Sequence, residues 1–236
     1  VDISKVESIG NVWDEFNIEK YASVRPDLLV SGMYVKNTLW YVPEKSKQTI
    51  EAMAPTVGVM LTGRKAEKTI ETYAKLAESL GADLDAPEVA KAKRRFEKAT
   101  ARLEEFGKAN PDLKVMAVGA TPELFYVSYH PDMPDLDFFK DHGINIVVPD
   151  KPDETGFYES LSWENADKYD ADVILVDARA QSMKVSEMEA KPTWRRLPAV
   201  RAGQVYPWRA ETRYSYLGYA IMLEELITNL EKSRRL

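Results

Sequence analysis

The chain has 236 residues, of which 44% are hydrophobic, 10% aromatic and 30% charged, a composition typical of one large globular domain or two smaller lobes. A net charge of −6 argues against nucleic acid as a partner, because phosphate backbones attract basic proteins. The absence of cysteine excludes disulfides, thiolate metal sites and a cysteine nucleophile, and two histidines do not favour a protein-only transition-metal centre.

No run reaches the roughly 18 apolar residues that a membrane span requires, so we expect none. The sequence begins at Val1 without a charged and apolar leader, and we expect any targeting segment to lie outside it.

The first third of the chain alternates short β-branched or aliphatic runs with helical patterns. Strands are predicted over 26–32 and 56–61. Helices are predicted over 18–24, 43–53 and 65–80. This alternation is typical of an α/β lobe with parallel strands.

One long helical pattern follows, from Pro87 to Lys108. An apolar stripe persists through it for about six turns. Pro87 suits a helix start, and Asn110-Pro111 ends the pattern. The helix either packs on its own domain or connects two lobes; because strand–helix units occur on both sides of it, we favour the connector.

The remaining residues again alternate between the two patterns. Strands are predicted over 113–119, 144–148, 172–177 and 204–206. Helices are predicted over 135–142, 162–169, 193–200 and 214–233, with Ser162 as a possible N-cap.

The sequence therefore predicts an α/β protein of two lobes, each with a central, mostly parallel sheet flanked by helices, joined by a single long connector helix. The predicted divisions are an N-terminal lobe over 1–86, the connector over 87–109 and a C-terminal lobe over 110–236. Since the first lobe shows only two clear strands, we expect it to be incomplete at its N-terminus.

Aromatic residues and arginines are concentrated after the predicted strands, where ligands bind in parallel α/β sheets. The aromatic residues are Tyr34, Trp40, Tyr41, Phe125, Tyr126, Tyr129, Phe157, Tyr158, Trp208, Tyr214 and Tyr216, and the arginines are Arg64, Arg179, Arg209 and Arg213. Each could simply pack over the edge of a lobe. Together they favour a bulky polar or anionic ligand held by stacking, cation–π contacts and charge-assisted hydrogen bonds.

Catalytic motifs are missing. The sequence contains no G-x-S-x-G elbow, Walker A loop, G-x-G-x-x-G after a strand or H-E-x-x-H. His130 follows an aromatic run and could reach a cleft, but a structural, hydrogen-bonded histidine is the preferred interpretation.

Three segments resemble the substrate-binding proteins of ABC importers for ferric siderophores, haem and cobalamin. Residues 18–30, IEKYASVRPDLLV, resemble the family's leading glutamate, helix and Lys-Pro-Asp-Leu-Ile signature. Residues 160–174 resemble its second-lobe counterpart, and residues 194–206 resemble the Trp-x-x-Leu-Pro-Ala-Val-x-x-Gly-x-Val-Tyr block. With the connector helix, the resemblance covers nearly the whole chain, although the first strand–helix unit of the family is missing from it.

The resemblance implies a role for specific residues. One glutamate on each lobe of family members docks onto the membrane permease, and the matching residues are Glu19 and Glu164; a helix N-terminal acid is the simpler alternative for both. The ligand lies between the lobes, so the implied ligand-binding residues are Tyr34, Trp40, Arg64, Phe125, Tyr126, Tyr129, Tyr158, Arg179, Trp208, Arg209, Arg213, Tyr214 and Tyr216.

The implied cargo is a ferric siderophore. Two histidines can hardly supply a bare manganese or zinc site, whereas haem stays possible through Tyr126, Tyr129 or His130, and cobalamin stays an alternative. Hydroxamates are favoured over catecholates because the arginines are few and interleaved with aromatic residues.

The expected protein is a monomeric, extracytoplasmic binding protein, periplasmic or lipid-anchored, that delivers its cargo to ABC permease subunits. It is expected to have no catalytic residues, no resident cofactor and no metal site. An α/β enzyme on a similar frame and a sensor or scaffold lobe without a ligand are the competing hypotheses.

Overall fold

The computed structural model describes residues 3–10, 14–129, 131 and 133–236. The chain forms two compact units, Val1–Thr62 and Gly63–Leu236. Helix α3, Ala66–Ser79, and helix α4, Pro87–Ala109, both belong to the second unit. The predicted lobe boundaries and the connector role of α4 stay predictions.

The first unit is built on a two-stranded parallel sheet. Strand β1, Leu29–Met33, pairs with strand β2, Thr56–Met60. Helix α1, Ile18–Ser23, begins at Asn17, whose side chain accepts a hydrogen bond from the backbone N–H of Lys20 at 2.8 Å. A 3₁₀ turn, Glu44–Ser46, leads into helix α2, Lys47–Glu51.

The core of the first unit is small. Tyr21 of α1, Leu29 of β1, Leu39 of the segment after β1 and Ile50 of α2 are buried together. Leu29 comes from the apolar run that predicts a strand and Tyr21 and Ile50 come from predicted helices, so pattern and packing agree for these three residues.

The second unit contains a six-stranded sheet in the order β6-β4-β3-β7-β8, with β5 also pairing with β3. The strands are β3 Lys114–Ala120, β4 Leu124–Ser128, β5 Asn145–Ile146, β6 Tyr158–Ser162, β7 Val173–Asp177 and β8 Val205–Trp208. Strands β3, β5, β7 and β8 pair in parallel, whereas β3–β4 and β4–β6 are antiparallel. The central, mostly parallel sheet flanked by helices is therefore confirmed.

Helices cover both faces of this sheet. The remaining helices are α5 Pro134–Asp141, α6 Val185–Met188, α7 Pro192–Arg196, α8 Pro198–Arg201 and α9 Tyr216–Leu230. Residues from α3, α4, α5 and α9 share one core cluster with Val115 and Leu175, while residues from α6, α7 and α8 share another with Met116 and Ile174. Successive residues of one strand thus point to opposite cores.

Helix α4 packs along α9 over an apolar seam that includes the fully buried Leu103. Near its end, Gly107 meets the backbone of Gly143. A Cβ at residue 107 would lie 2.7 Å from the Gly143 carbonyl carbon, so only glycine permits this close approach.

The predicted helix over 162–169 is wrong. Residues Tyr158–Ser162 form β6, and only a single 3₁₀ turn, Trp163–Asn165, follows. Ser162 ends a strand and makes no side-chain cap to that turn. The buried residues Glu159 and Leu161 alternate with more exposed neighbours, and this two-residue period matches pairing with β4.

Strand β4 itself lies where the sequence predicts a loop. Phe125 and Tyr126 pair with Ala120 and Gly119 of β3 in antiparallel register. Since a run of five residues is short and lies close after another strand, its strand character depends on the partners it meets in the folded unit. The predicted strand over 144–148 is likewise reduced to Asn145–Ile146.

Candidate functional site

The carboxyl ends of β3, β7 and β8 lie at one edge of the sheet in the second unit. Their last residues are Ala120, Asp177 and Trp208. The N–H of Ala178 donates to the carbonyl of Trp208 at 3.0 Å, which joins the segments that follow β7 and β8. The two segments that carry most of the predicted arginines therefore leave the sheet side by side.

Arg179 is held at this edge by three side chains, and we name Asp177, Arg179, Glu211 and Tyr158 the Arg179 cluster. The Arg179 Nε donates to both carboxylate oxygens of Asp177 at 3.0 Å. Its Nη1 donates to Glu211 at 2.6 Å, and its Nη2 donates to the Tyr158 hydroxyl at 2.9 Å. The Tyr126 ring lies beside Tyr158, with the ring centroids 5.8 Å apart.

The electrostatics of the cluster keep Arg179 charged. Burial by itself would lower the pKa of the guanidinium, but the hydrogen bonds to Asp177 and the nearby negative charges outweigh burial and raise that pKa. Burial raises the pKa of Tyr158, although Arg179 partly opposes this effect. Two carboxylates thus neutralise the arginine, and it is not a free cation.

Glu211 completes the cluster from an uncommon backbone conformation. Its φ is +57°, in the left-handed region that costs a non-glycine residue about 1 kcal/mol or more. The ion pair with Arg179 offsets this cost and fixes the start of the segment between β8 and α9.

Trp208 was predicted to contact the ligand, but the structure corrects this role. The side chain is 2% exposed and belongs to the core, and its Nε1 donates to the carboxylate of Asp135 at 2.6 Å. Burial raises the pKa of Asp135 to about 6, against the lowering effect of the Trp208 hydrogen bond and of backbone N–H groups. Trp208 therefore packs in the core beneath this edge and has almost no surface that a ligand could contact.

Phe125 is corrected for the same reason. It is fully buried and packs against Trp163 and Trp194, with ring centroids 5.5 and 6.2 Å away. By contrast, Tyr126 and Tyr129 are half-buried and keep part of their side chains accessible.

The other predicted arginines differ in their partners. Arg209 is exposed and forms a two-point ion pair with Glu225 of α9, one contact being 3.1 Å from Nη2 to Oε1. Arg64 and Arg213 are exposed, and neither side chain has an ion pair or hydrogen bond with the residues that the structure describes. These two are the predicted arginines whose charge is available to a ligand.

Tyr214 and Tyr216 pack against helices α3 and α4. Tyr214 stacks on Tyr73 of α3 with ring centroids 6.1 Å apart, and Tyr216 lies 5.8 Å from Phe96 of α4. Both line an apolar groove of about 500 Å³ between α3, α4 and the start of α9. Both tyrosines thus belong to an apolar groove and take no part in the hydrogen bonds of the Arg179 cluster.

Tyr34 and Trp40 belong to the first unit. Their ring centroids are 4.7 Å apart; Tyr34 is buried, whereas Trp40 is half-buried. Trp40 and its neighbour Tyr41 line a groove of about 160 Å³ with residues of β1. That this pair and the second unit contact one ligand stays a prediction.

Both predicted docking glutamates are exposed. Glu19 lies in the first turn of α1. Glu164 lies in the 3₁₀ turn after β6, where hydrogen bonds from its own N–H and from Ser162 lower the pKa of its carboxyl group. Each is accessible on its own unit, as permease docking would require.

Three residues around the edge were not predicted from the sequence: Asp135, Asp177 and Glu211. The spacing of Asp177 and Arg179 directly after an apolar run offered a signal for their pairing, whereas Glu211 and Asp135 are distant in sequence from their partners. His130 lies outside the described residues. Among those described, no group of three or more His, Cys, Asp or Glu side chains could hold a metal ion.

This arrangement, an α/β unit with half-buried tyrosines and arginines at the carboxyl edge of its sheet, is typical of a ligand-binding protein. The sequence profile of the periplasmic binding proteins matches residues 5–212. The chain belongs to this family, and it is therefore a binding protein and not an enzyme.

Solved structures agree with this assignment. DesE, a ferric-siderophore receptor protein from Streptomyces coelicolor, is 41% identical, with a TM-score of 0.93 over 100% of this chain and 80% of its own. FhuD2 from Staphylococcus aureus with bound ferrioxamine B is 20% identical, with a TM-score of 0.64 over 98% of this chain and 84% of its own, and this likeness shows the fold alone.

One curated relative also matches. The Fe(3+)-citrate-binding protein YfmC from Bacillus subtilis (strain 168) is 25% identical over 205 residues, or 86% of this chain. The chain spans 60% of that relative's length. Among the described residues, no helix is both long and apolar enough to cross a membrane.

Proposed function

We propose that this chain is the extracytoplasmic binding protein of an ABC importer, which captures a ferric siderophore and delivers it to the membrane permease. The observation that carries this proposal is the 41% identity and 0.93 TM-score, over the whole chain, with a ferric-siderophore receptor. The exposed Glu19 and Glu164 support the delivery step, since acidic side chains on each unit can pair with permease arginines.

Within this class we propose a hydroxamate siderophore. The half-buried Tyr126 and Tyr158 provide aromatic surface beside Arg179, and Arg213 provides a hydrogen-bond donor without a competing partner among the described residues. A ferric tris-catecholate carries three negative charges and would be matched by several free cations. The Arg179 cluster lacks them, because Asp177 and Glu211 already neutralise its arginine.

A tryptophan-fluorescence titration tests the proposal. The chain has five tryptophans, and a bound ferric chromophore near any of them should quench its emission. Ferrioxamine B is the first probe, and it is compared with iron-free desferrioxamine, a ferric catecholate, haem and cobalamin. Saturable quenching by ferrioxamine B alone supports a ferric hydroxamate receptor.

Other outcomes of the titration contradict either the proposed cargo or the assignment of a ferric ligand. Saturable binding of haem or cobalamin, without ferrioxamine B, keeps the binding-protein class and replaces the cargo. Ferric citrate belongs in the panel as a second candidate cargo, because of the 25% identical Fe(3+)-citrate-binding relative. No saturable response to any probe overturns the assignment of a ferric cargo.

A further inference from the structure

The edge of the second unit is rich in arginine and yet balanced in charge. The charged side chains at the end of β7 and on the segments after β7 and β8 are Arg179, Arg209, Arg213, Asp177 and Glu211, and Glu225 of α9 pairs with Arg209. This set contains three cations and three carboxylates. The buried Asp135 beneath Trp208 adds further negative charge whenever it is ionised.

Glu211 is the carboxylate on which the net charge of this edge depends most directly. Asp177 is 6% exposed and already bonds to Arg179 through both oxygens, so it serves as the internal counter-ion of the arginine. Glu211 approaches the same guanidinium from the segment between β8 and α9, and its side chain is 20% exposed. Without its charge the Arg179 cluster would change from net negative to neutral, and the edge as a whole would carry one negative charge fewer.

We propose that Glu211 determines the charge preference of the binding site, so that neutral or singly positive ferric chelates are bound in preference to anionic ones. The inference rests on the proposed function, because it takes the ligand to bind at the carboxyl edge of the sheet. Charges at a partly buried edge act on a ligand more strongly than charges in bulk water, since solvent screens them less.

The conformation of Glu211 supports a dedicated role. The residue accepts a hydrogen bond of 2.6 Å from Arg179 while holding a φ of +57°. A glycine or asparagine would adopt this backbone at lower cost, and would leave Arg179 with a single carboxylate. The glutamate thus adds a negative charge at a place where local backbone preference alone favours another residue.

The experiment compares three ferric chelates on the full chain by fluorescence titration. Ferrioxamine B carries a protonated amine, its N-acetyl derivative presents the same hydroxamates without that charge, and ferric citrate is anionic. The variant is Glu211→Gln, which keeps an oxygen to accept from Arg179 but removes the negative charge. Glu224→Gln is the matched control, because Glu224 also accepts hydrogen bonds from an arginine, Arg95 of α4, but takes no part in the Arg179 cluster.

Wild type should bind ferrioxamine B more tightly than its N-acetyl derivative, and ferric citrate most weakly. In Glu211→Gln the affinity for ferrioxamine B relative to that for its N-acetyl derivative should fall by about threefold to tenfold, because one charge at close range is removed. The affinity for ferric citrate should increase. Glu224→Gln should keep the wild-type ratio.

An unchanged ratio in Glu211→Gln, or an equal change in both variants, overturns the inference. If wild type binds all three chelates equally, the inference fails while the proposed function stands; if it binds none, both fail. If Glu211→Gln does not fold, the inference is tested instead by the salt dependence of the affinities of the wild type. The preference for ferrioxamine B over its N-acetyl derivative must then weaken between low and high salt, and a salt-independent ratio contradicts the inference.

Discussion

At the scale of single residues, burial separates side chains that look alike in the sequence. Trp208 and Phe125 are core residues, whereas Tyr126 and Arg213 keep accessible surface. Replacing Trp208 by alanine should therefore lower the free energy of unfolding, and it does not test a contact with the ligand. A large aromatic side chain deleted from a core costs about 3–5 kcal/mol.

Asp135 should make stability depend on pH. Burial raises its pKa in the folded protein to about 6, above the ordinary 3.8, so the folded state binds a proton more tightly than the unfolded state. Its contribution to the free energy of unfolding therefore increases as the pH falls from about 7 towards 4, by about 3 kcal/mol at most.

Urea denaturation across this pH range, on wild type and on Asp135→Asn, measures this contribution. Asparagine keeps an oxygen to accept from Trp208 but does not titrate. The free energy of unfolding of wild type, relative to that of Asp135→Asn, should increase as the pH falls from about 7 towards 4. A difference that is constant with pH would show that Asp135 has an ordinary pKa.

Arg213→Ala should weaken the binding of ferrioxamine B and of its N-acetyl derivative equally, by about tenfold, because it removes one donor to hydroxamate oxygen at an accessible site. The midpoint of thermal unfolding should not change, since the side chain is exposed and without partners among the described residues. Arg94→Ala, at an exposed position of α4, is the control. Unchanged affinity in Arg213→Ala would remove Arg213 from the site.

At the scale of elements, α4 and α9 are joined by an apolar seam and by ion pairs at its margin. Leu103 is fully buried in the seam. Arg95 binds Glu224 at 2.6 and 2.8 Å, and Arg102 binds Glu231 at 2.8 Å, but these side chains are partly exposed. The two kinds of contact should differ in their contribution to stability.

Leu103→Ala should lower the free energy of unfolding by about 2–5 kcal/mol, since it leaves a cavity in the seam. Arg95→Ala should lower it far less, because water and salt screen the pair. Urea denaturation of both variants measures the difference. Equal losses would mean that the ion pairs, and not the apolar seam, join the helices.

Tertiary pairing also explains the wrong predictions at this scale. Strands β4 and β6 are five residues each and pair with one another and with β3. The aromatic residues of β4 suit either a binding loop or a strand, and only the presence of partner strands decides between them. Long, strongly periodic elements such as α4 depend less on such partners, and Pro87–Ala109 agrees with the predicted helix almost residue for residue.

At the scale of the whole molecule, the two units carry one exposed glutamate each, Glu19 and Glu164, for which docking to the permease is predicted. The double variant Glu19→Ala with Glu164→Ala should keep the affinity for the ferric chelate, because both residues are exposed and neither takes part in the hydrogen bonds of the Arg179 cluster. Uptake through the cognate permease should fall severalfold, since rim charges that guide docking are lost.

Radiolabelled ferrioxamine uptake in a strain that lacks the native binding protein checks this outcome. Asp27→Ala with Asp167→Ala removes the same total charge elsewhere on the surface and serves as the control. Normal uptake by the glutamate double variant would exclude both residues from docking.

The amino-acid sequence by itself determined the α/β class, the long helix and the family, because these depend on local periodicity and on short motifs such as residues 194–206. Only the tertiary structure decided that Phe125 and Trp208 lie in the core and that Glu211 neutralises Arg179. Burial and charge pairing arise between segments far apart in sequence, and Arg179 and Glu211, 32 positions apart, carry no local signal of their contact.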